Sequence, residues 1–282
     1  MSVLTIFAKR FVAGETKEQA LPQVRKLNDA GIRASMDILG ENVSSSEMAR
    51  NLADLYIELV NFIAKEKVTA NVSVKLTQMG LDVSDDFCFE NVSRIIEAAK
   101  SHNNFVRIDM EGSAYTERTL QLVYRWAEKY DNVGTVIQSA LYRSEKDIME
   151  LNRRKIKVRL CKGAYKEPAT VAFQKKEDVN SNYIKLMKLL LDSGQFHSIA
   201  THDDKMIAAT IEYAKQKNIG KDKFEFQMLY GINRPGWVKL TKDGYKLLIY
   251  VPFGTHWFPY YYRRLRERKE NIFFIMKHFF RG

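Results

Sequence analysis

A closed (βα)8 barrel of class α/β is the fold this sequence predicts, and three observations predict it. Short apolar runs alternate with amphipathic stretches along nearly the whole chain. There are eight such runs, mostly 20 to 40 residues apart. No glycine-rich fingerprint follows the first run, as a doubly wound open sheet would want. Alternating strands and helices imply a parallel sheet with right-handed crossovers. Eight such units in one domain close most simply into a barrel, and residues 1–282 suit a single domain of that kind.

The elements follow in order. Residues 1 to about 30 read as helix, with Phe11, Ala20, Val24 and Leu27 apolar between charges and Gly31 as the C-terminal stop. Arg33–Leu39 reads as the first strand, closed by Gly40. Ser44 to Ser46 cap the next helix, which runs to about Lys67. The further strand runs are Ala70–Leu76, Phe105–Met110, Val133–Gln138, Lys157–Lys162, His197–His202, Phe224–Leu229 and Lys246–Val251. The last is expected to break at Pro252 and Gly254, and the chain restarts as a helix after Pro259. Gly163 to Asn182 reads as a polar loop before a helix at Tyr183–Leu191, and Tyr230 to Gly244 as a long loop.

Composition narrows the function classes. Cys88 and Cys161 are the only cysteines, too few for a disulfide framework. No His/Cys cluster has metal-ligand spacing, so no metal is expected. No signal segment opens the chain and no apolar run reaches a membrane span, which predicts a cytoplasmic protein, peripheral at most at the inner membrane face. The net charge is +11, but the basic residues are spread along the chain without a nucleic-acid-binding motif, so no nucleic-acid partner is expected. The tail Ile272–Arg281 is both apolar and basic, fit for packing on the barrel or for contact with a membrane surface.

Active sites of such barrels lie at the C-terminal ends of the strands. There this chain offers Lys75, Asp109, Glu111, Gln138, Arg159, Lys162, Tyr165, Thr201, His202, Asp203, Glu225, Gln227, Leu229 and Tyr250. Each has a structural reading: Lys75 pairing Asp109, Gln138 satisfying a backbone group, Glu225 as partner of Arg159 or Lys75. Their convergence from seven strands favours a site. After the last strand, Tyr260, Arg263 or Arg264, and Glu267 share a helix face, and paired guanidiniums suit a small carboxylate. No serine or cysteine nucleophile has an evident base. Cations, amides and hydroxyls suit an anionic cofactor that carries the hard chemistry.

The chain resembles the monofunctional proline dehydrogenases, flavin enzymes that oxidise L-proline to Δ1-pyrroline-5-carboxylate. The resemblance rests on Val-Ser-Val-Lys75-Leu, Arg-Ile-Asp109, Val-Arg159-Leu-Cys-Lys162-Gly-Ala-Tyr165 and Ala-Thr201-His202-Asp. Phe-Glu-Phe-Gln227-Met-Leu229-Tyr-Gly, Tyr250-Val-Pro-Phe-Gly and Tyr260-Tyr-Tyr-Arg263-Arg264-Leu-Arg-Glu267 complete it, in the family's order from Arg33 onward.

The resemblance implies a distorted, TIM-like barrel with an N-terminal helix and the last helix over the mouth. It implies FAD as cofactor, held by Gln138, Arg159, Lys162, Gly163, Thr201, His202, Gln227, Arg264, Glu267 and Asn271. Arg263 and Arg264 clamp the proline carboxylate with Lys75, while Tyr165, Leu229, Tyr250 and Tyr260 line the pocket and Glu41 pairs with Arg263. Arg159, Lys75 and Asp109 are the expected catalytic group, Arg159 lying near flavin N5. Tyr250 stands where hydroxyproline enzymes are smaller, favouring proline. The implied partners are a membrane quinone and a separate pyrroline-5-carboxylate dehydrogenase. His256 departs from the acidic residue usual there. The alternatives are a flavin-free lyase or isomerase using Lys75 as a Schiff base, and a basic binding module on a barrel scaffold.

Overall fold

In the computed structural model, residues 11–40, 43 and 45–256 are described. The strands are β1 (Arg33–Ile38), β2 (Ala70–Val74), β3 (Val106–Ile108), β4 (Val133–Gln138), β5 (Lys157–Cys161), β6 (His197–Ala200), β7 (Phe224–Leu229) and β8 (Lys246–Phe253). Each pairs in parallel with its neighbour, and β8 returns to β1 to close the barrel. The helices are α1 (Lys17–Asp29), α2 (Ser46–Lys65), α3 (Asp85–Ser101), α4 (Ser113–Ala127), α5 (Ser144–Arg153), α6 (Lys176–Asp192), α7 (Asp204–Gln216) and α8 (Arg234–Lys242).

Hydroxyl and carboxylate side chains start four of the helices, and Ser45 does so within the Ser44–Ser46 cap that the sequence predicts. Thr16, Ser45, Ser84 and Asp203 accept backbone N–H bonds at the N-termini of α1, α2, α3 and α7. Gly31, at φ +72°, follows α1 in the left-handed turn that glycine adopts without strain. The apolar faces of the helices fill the space against the outer wall of the sheet, where Tyr56, Leu59, Ile95, Ile96, Trp126 and Tyr183 are fully buried. Each such side chain contributes roughly 1.5–3 kcal/mol by leaving water.

Four sequence expectations are corrected. The helix expected over residues 1 to about 30 is not continuous: Phe11 is helical, Gly14 at φ +136° and the Thr16 cap interrupt the helix, and α1 begins at Lys17; residues 1–10 lie outside the described region. Helix α6 begins at Lys176, so the β5–α6 loop is shorter than the sequence suggested. The long loop after β7 contains α8, nucleated by Asn233, whose side chain accepts from Gly236 N–H, with Pro235 in the first turn where no N–H is needed. Strand β8 also runs through Pro252 to Phe253. Its pairing with β7 ends at Tyr250, so the missing N–H of Pro252 interrupts no bond on that side. The expected helix after Pro259 lies outside the described residues.

The helices order the charge. Acidic residues occupy first turns (Glu18, Glu47, Asp85, Glu145, Glu177, Asp204) and basic residues last turns (Lys26, Lys65, Lys100, Arg125, Arg153, Lys215). This matches the helix dipole. Since helices run antiparallel to the strands, the basic ends gather at the floor of the barrel, opposite the mouth. No helix among the described residues is long and apolar enough to cross a membrane.

At the floor, His197 opens β6 and is fully buried. Its Nδ1 accepts from Val158 N–H at 3.1 Å, so Nε2 carries the proton and donates to Ser193 Oγ at 3.0 Å. Burial, reinforced by Arg107, pushes its pKa down to about 3. The folded imidazole therefore stays neutral where the unfolded one, titrating at about 6.5, binds a proton. Stability from this residue is present above that value and lost as pH falls toward about 3. Urea unfolding from pH 6 to 4 should show a stability loss steeper in the native protein than in His197→Gln by about 1.4 kcal/mol per pH unit. Parallel slopes would show that His197 does not control acid stability.

Candidate active site

Alternation along parallel strands sends every second side chain to the barrel axis. On β1 these are Arg33, Ser35 and Asp37; beyond and within the other strands they include Ser73, Lys75, Arg107, Asp109, Arg159, Ser198, Glu225 and Gln227. The axis is thus lined with charge and hydroxyls, where such barrels usually hold branched aliphatics.

At the mouth these groups form one network. Lys75 Nζ donates to Asp37 Oδ1 at 2.7 Å and to Tyr250 Oη at 3.1 Å, and lies 3.7 Å from Asp109 Oδ2. Tyr250 Oη donates to Asp109 Oδ2 at 2.8 Å. Arg159 Nη1 donates to the other oxygen, Asp109 Oδ1, at 2.8 Å. The remaining guanidinium edges reach Gln227 Oε1 at 2.5 Å and Ser73 Oγ at 3.1 Å. Its Cζ lies 5.4 Å from the Tyr250 ring centroid. Side chains from β2, β7 and the end of β3 therefore fix the plane of a buried cation.

Burial disfavours a charged Lys75, but the carboxylates of Asp37 and Asp109 outweigh it and hold the ammonium above the ordinary lysine range. Burial pushes the Asp37 carboxyl upward, with Lys75 pulling the other way. Asp37 also accepts from Tyr56 Oη of α2 at 3.2 Å, while its Oδ2 has no hydrogen-bond partner. A lysine held protonated by two carboxylates is a poor Schiff-base nucleophile, which argues against the lyase alternative.

A second group lies on the rim formed by β4, β5 and β6. Gln138 Nε2 donates to the Glu111 carbonyl at 2.9 Å, the backbone-satisfying role its structural reading foresaw. Gly163 has φ +116°, and a Cβ there would sit 3.2 Å from Gln138 Oε1 and 3.1 Å from Ala140 Cβ, so only glycine keeps this surface open. Lys162 Nζ pairs with Asp203 at 2.6 Å. Thr201 Oγ1 accepts from Asp203 N–H, and His202 Nε2 accepts from Leu229 N–H at 3.1 Å. The Thr201 N–H donates to the Gln227 carbonyl at 3.1 Å, joining rim to network. Leu229 stands beside Tyr250 in register. Tyr165 is half-buried and near enough to Lys75 to bear on its charge. Its loop is pinned by Glu167, which accepts from Ser113 N–H at 2.8 Å and from Ser113 Oγ.

The donor set fits a flavin nucleotide: an ammonium, hydroxyl and imidazole on one rim, a glycine cradle, and a fixed guanidinium at the axis. Glu41, Tyr260, Arg263, Arg264, Glu267 and Asn271 lie outside the described residues. One assignment is corrected: Glu225 sits in the floor half of β7 and pairs with Arg33, not with Arg159 or Lys75. Asp37, Ser35, Ser73 and Tyr56 belong to the site though sequence reasoning passed over them. The alternation Arg33, Ser35, Asp37 in an otherwise apolar strand was the available signal.

A closed parallel barrel with a charged network at its C-terminal mouth defines an enzyme of the (βα)8 class. Residues 20–277 match the family described as proline dehydrogenase. The chain is 42% identical over 272 residues to proline dehydrogenase 2 of Bacillus subtilis (strain 168), covering 96% of this chain and 90% of that one. It is 37% identical over 280 residues to the proline dehydrogenase of Deinococcus radiodurans, covering 98% and 90%. The crystal structure of proline utilization A (PutA) from Bdellovibrio bacteriovorus inactivated by N-propargylglycine matches with a TM-score of 0.89 at 27% identity, over 95% of this chain. This chain spans 33% of that longer one. The chain belongs to the proline dehydrogenase family.

Lys75→Met should lower unfolding free energy by about 3 kcal/mol, because it strands the buried carboxylate of Asp37 without its only cationic partner among the described residues. Adding Asp37→Asn should recover at least half of that loss in urea titrations. Additive losses would show that Asp37 and Lys75 are not energetically coupled.

Proposed function

We propose that the chain is an FAD-dependent L-proline dehydrogenase that forms Δ1-pyrroline-5-carboxylate in the first step of proline catabolism. The observation that carries this reading is the Arg159 guanidinium, fixed by Asp109, Gln227 and Ser73 against the face of Tyr250. Family membership supports it. FAD, when bound, would supply the two-electron acceptor for the hydride that proline C5 loses.

The protein's share is positioning and charge. Arg159 would set a fixed cation beside the ring and favour negative charge on it. Gln138 and Gln227 would address the ring system; Lys162, Gly163, Thr201 and His202 would hold the ribityl, pyrophosphate and adenosine portions, with Glu267 and Asn271 assigned to the adenosine end. Arg263 and Arg264 are assigned to the proline carboxylate with Lys75 as third cation, Glu41 to closing the site with Arg263, and Arg264 to the cofactor as well. Tyr165, Leu229, Tyr250 and Tyr260 enclose the apolar ring of the substrate. Asp109, by holding both Arg159 and Tyr250, fixes the two sides of that pocket relative to each other. Orientation of C5 against the acceptor would supply several kcal/mol of the barrier reduction.

Residues 1–282 form one domain in this reading. Electrons pass to a membrane quinone, and the product passes to a separate pyrroline-5-carboxylate dehydrogenase. The protein is cytoplasmic, and the basic, Phe-rich tail makes peripheral contact at the inner membrane face.

Arg264→Met in the FAD-loaded enzyme should weaken proline binding far more than flavin binding, read as KM for proline against flavin retained on gel filtration. Equal loss of both would misplace the clamp. Tyr250→Ser should shift the ratio of kcat/KM for hydroxyproline over proline upward by roughly tenfold. An unchanged ratio would remove Tyr250 from substrate selection.

A further inference from the structure

Beneath the mouth lies a second charged layer, joined to the mouth network through Gln227. Glu225, the second residue of β7, is 3% exposed. Its Oε1 accepts from Gln227 Nε2 at 2.7 Å and from Ser198 Oγ at 2.8 Å, and its Oε2 pairs with Arg33. Gln227 turns its other amide atom, Oε1, to Arg159 Nε. Arg107 is 4% exposed in the same layer, with Nη1 donating to the carbonyls of Thr135 and Lys157. Burial and the neighbouring Arg159 push Arg107 down to about 9, with Glu225 opposing them.

Along its axis the barrel thus holds three guanidiniums, Arg33 and Arg107 in the lower layer and Arg159 at the mouth, against the carboxylates of Glu225 below and Asp109 above. Asp109 is shared with Lys75 and Tyr250 at the mouth. Glu225 pairs with Arg33 and acts on Arg107 more strongly than Asp109 does. Keeping a carboxylate there costs several kcal/mol in lost hydration, offset by its three donors. Its field reaches the mouth through a low-dielectric interior, where charge acts over longer distances than in water.

We propose that Glu225 sets the electron affinity of the flavin at the mouth: its fixed negative charge, behind Gln227 and Arg159, limits the positive field that the three arginines project toward the ring. The inference rests on the reading that Arg159 lies beside the flavin. Neutralising Glu225 strengthens that field and favours anionic forms of the ring. Neutralising Arg33 weakens it, and less so, because the Arg33 side chain is 43% exposed.

Sulfite adds to flavin N5 and leaves the ring anionic, so its affinity reports the field without proline turnover. The test is a spectrophotometric sulfite titration of the FAD-loaded enzyme and three variants. Glu225→Gln should tighten sulfite binding roughly tenfold and Arg33→Gln should weaken it roughly two- to threefold. Opposite signs identify a field; mere loosening of Arg159 would weaken sulfite in both variants and overturn the proposal, as would no change in Glu225→Gln. Arg159→Met should weaken sulfite by more than roughly tenfold. If it does not, the placement of Arg159 beside the flavin is wrong and the inference falls with it. If it does and Glu225→Gln still fails to tighten binding, the inference alone is overturned. Should Glu225→Gln not fold, Arg33→Gln and Arg33→Lys decide together: weaker sulfite binding in Arg33→Gln that Arg33→Lys restores supports the proposal, and weakening in both, or none in Arg33→Gln, refutes it.

Discussion

The ion pair between Arg159 and Asp109 is the contact on which the mouth depends. It joins β5 to the end of β3 across the barrel at 2.8 Å, and Asp109 passes the constraint to Tyr250 and Lys75 through its second oxygen. Closure of the sheet makes the wider network possible: Tyr250 of β8 reaches Lys75 and Asp109, at the ends of β2 and β3, because β8 returns to β1. An open sheet would leave Arg159 and Tyr250 on distant strands. Buried charges are costly unless paired and hydrogen-bonded. The alternation Asp37, Lys75, Asp109, Arg159 meets that condition, each cation lying between acceptors.

The barrel was legible because it is written in periodicity. Two strands, Val133–Gln138 and Phe224–Leu229, have the bounds the apolar runs predict, and the others differ by a few residues at their ends. Helix α8 was not legible, because its stretch carries Pro235 and three glycines and reads as loop until Asn233 is seen to adopt φ 52° and cap it. Pro252 misled for a related reason. Whether a proline breaks a strand depends on which neighbour lacks a pairing there, and β7 has already ended.

The site was legible as a set of strand ends and illegible as a set of partners. Lys75, Asp109, Arg159, Gln227 and Tyr250 do meet, yet nothing local in the chain says that Lys75 chooses Asp37 as its nearest carboxylate. Glu225 shows the same limit. Its place in a polar motif beside Gln227 suggests the mouth, but it stands two residues nearer the floor, and one rise of the strand decides which layer it serves. Charge behaves alike: a net +11 looks dispersed in sequence, while helix polarity sorts it along the barrel axis.

The central claim is that this mouth orients proline C5 for hydride loss to a flavin. It is tested most directly by stopped-flow reduction of the FAD-loaded protein without oxygen, comparing L-proline with proline deuterated at C5. The account predicts that the flavin absorption bleaches with either substrate and does so several-fold more slowly with the deuterated one. Flavin bands that stay unbleached by proline, or a protein that does not take up FAD, would contradict it.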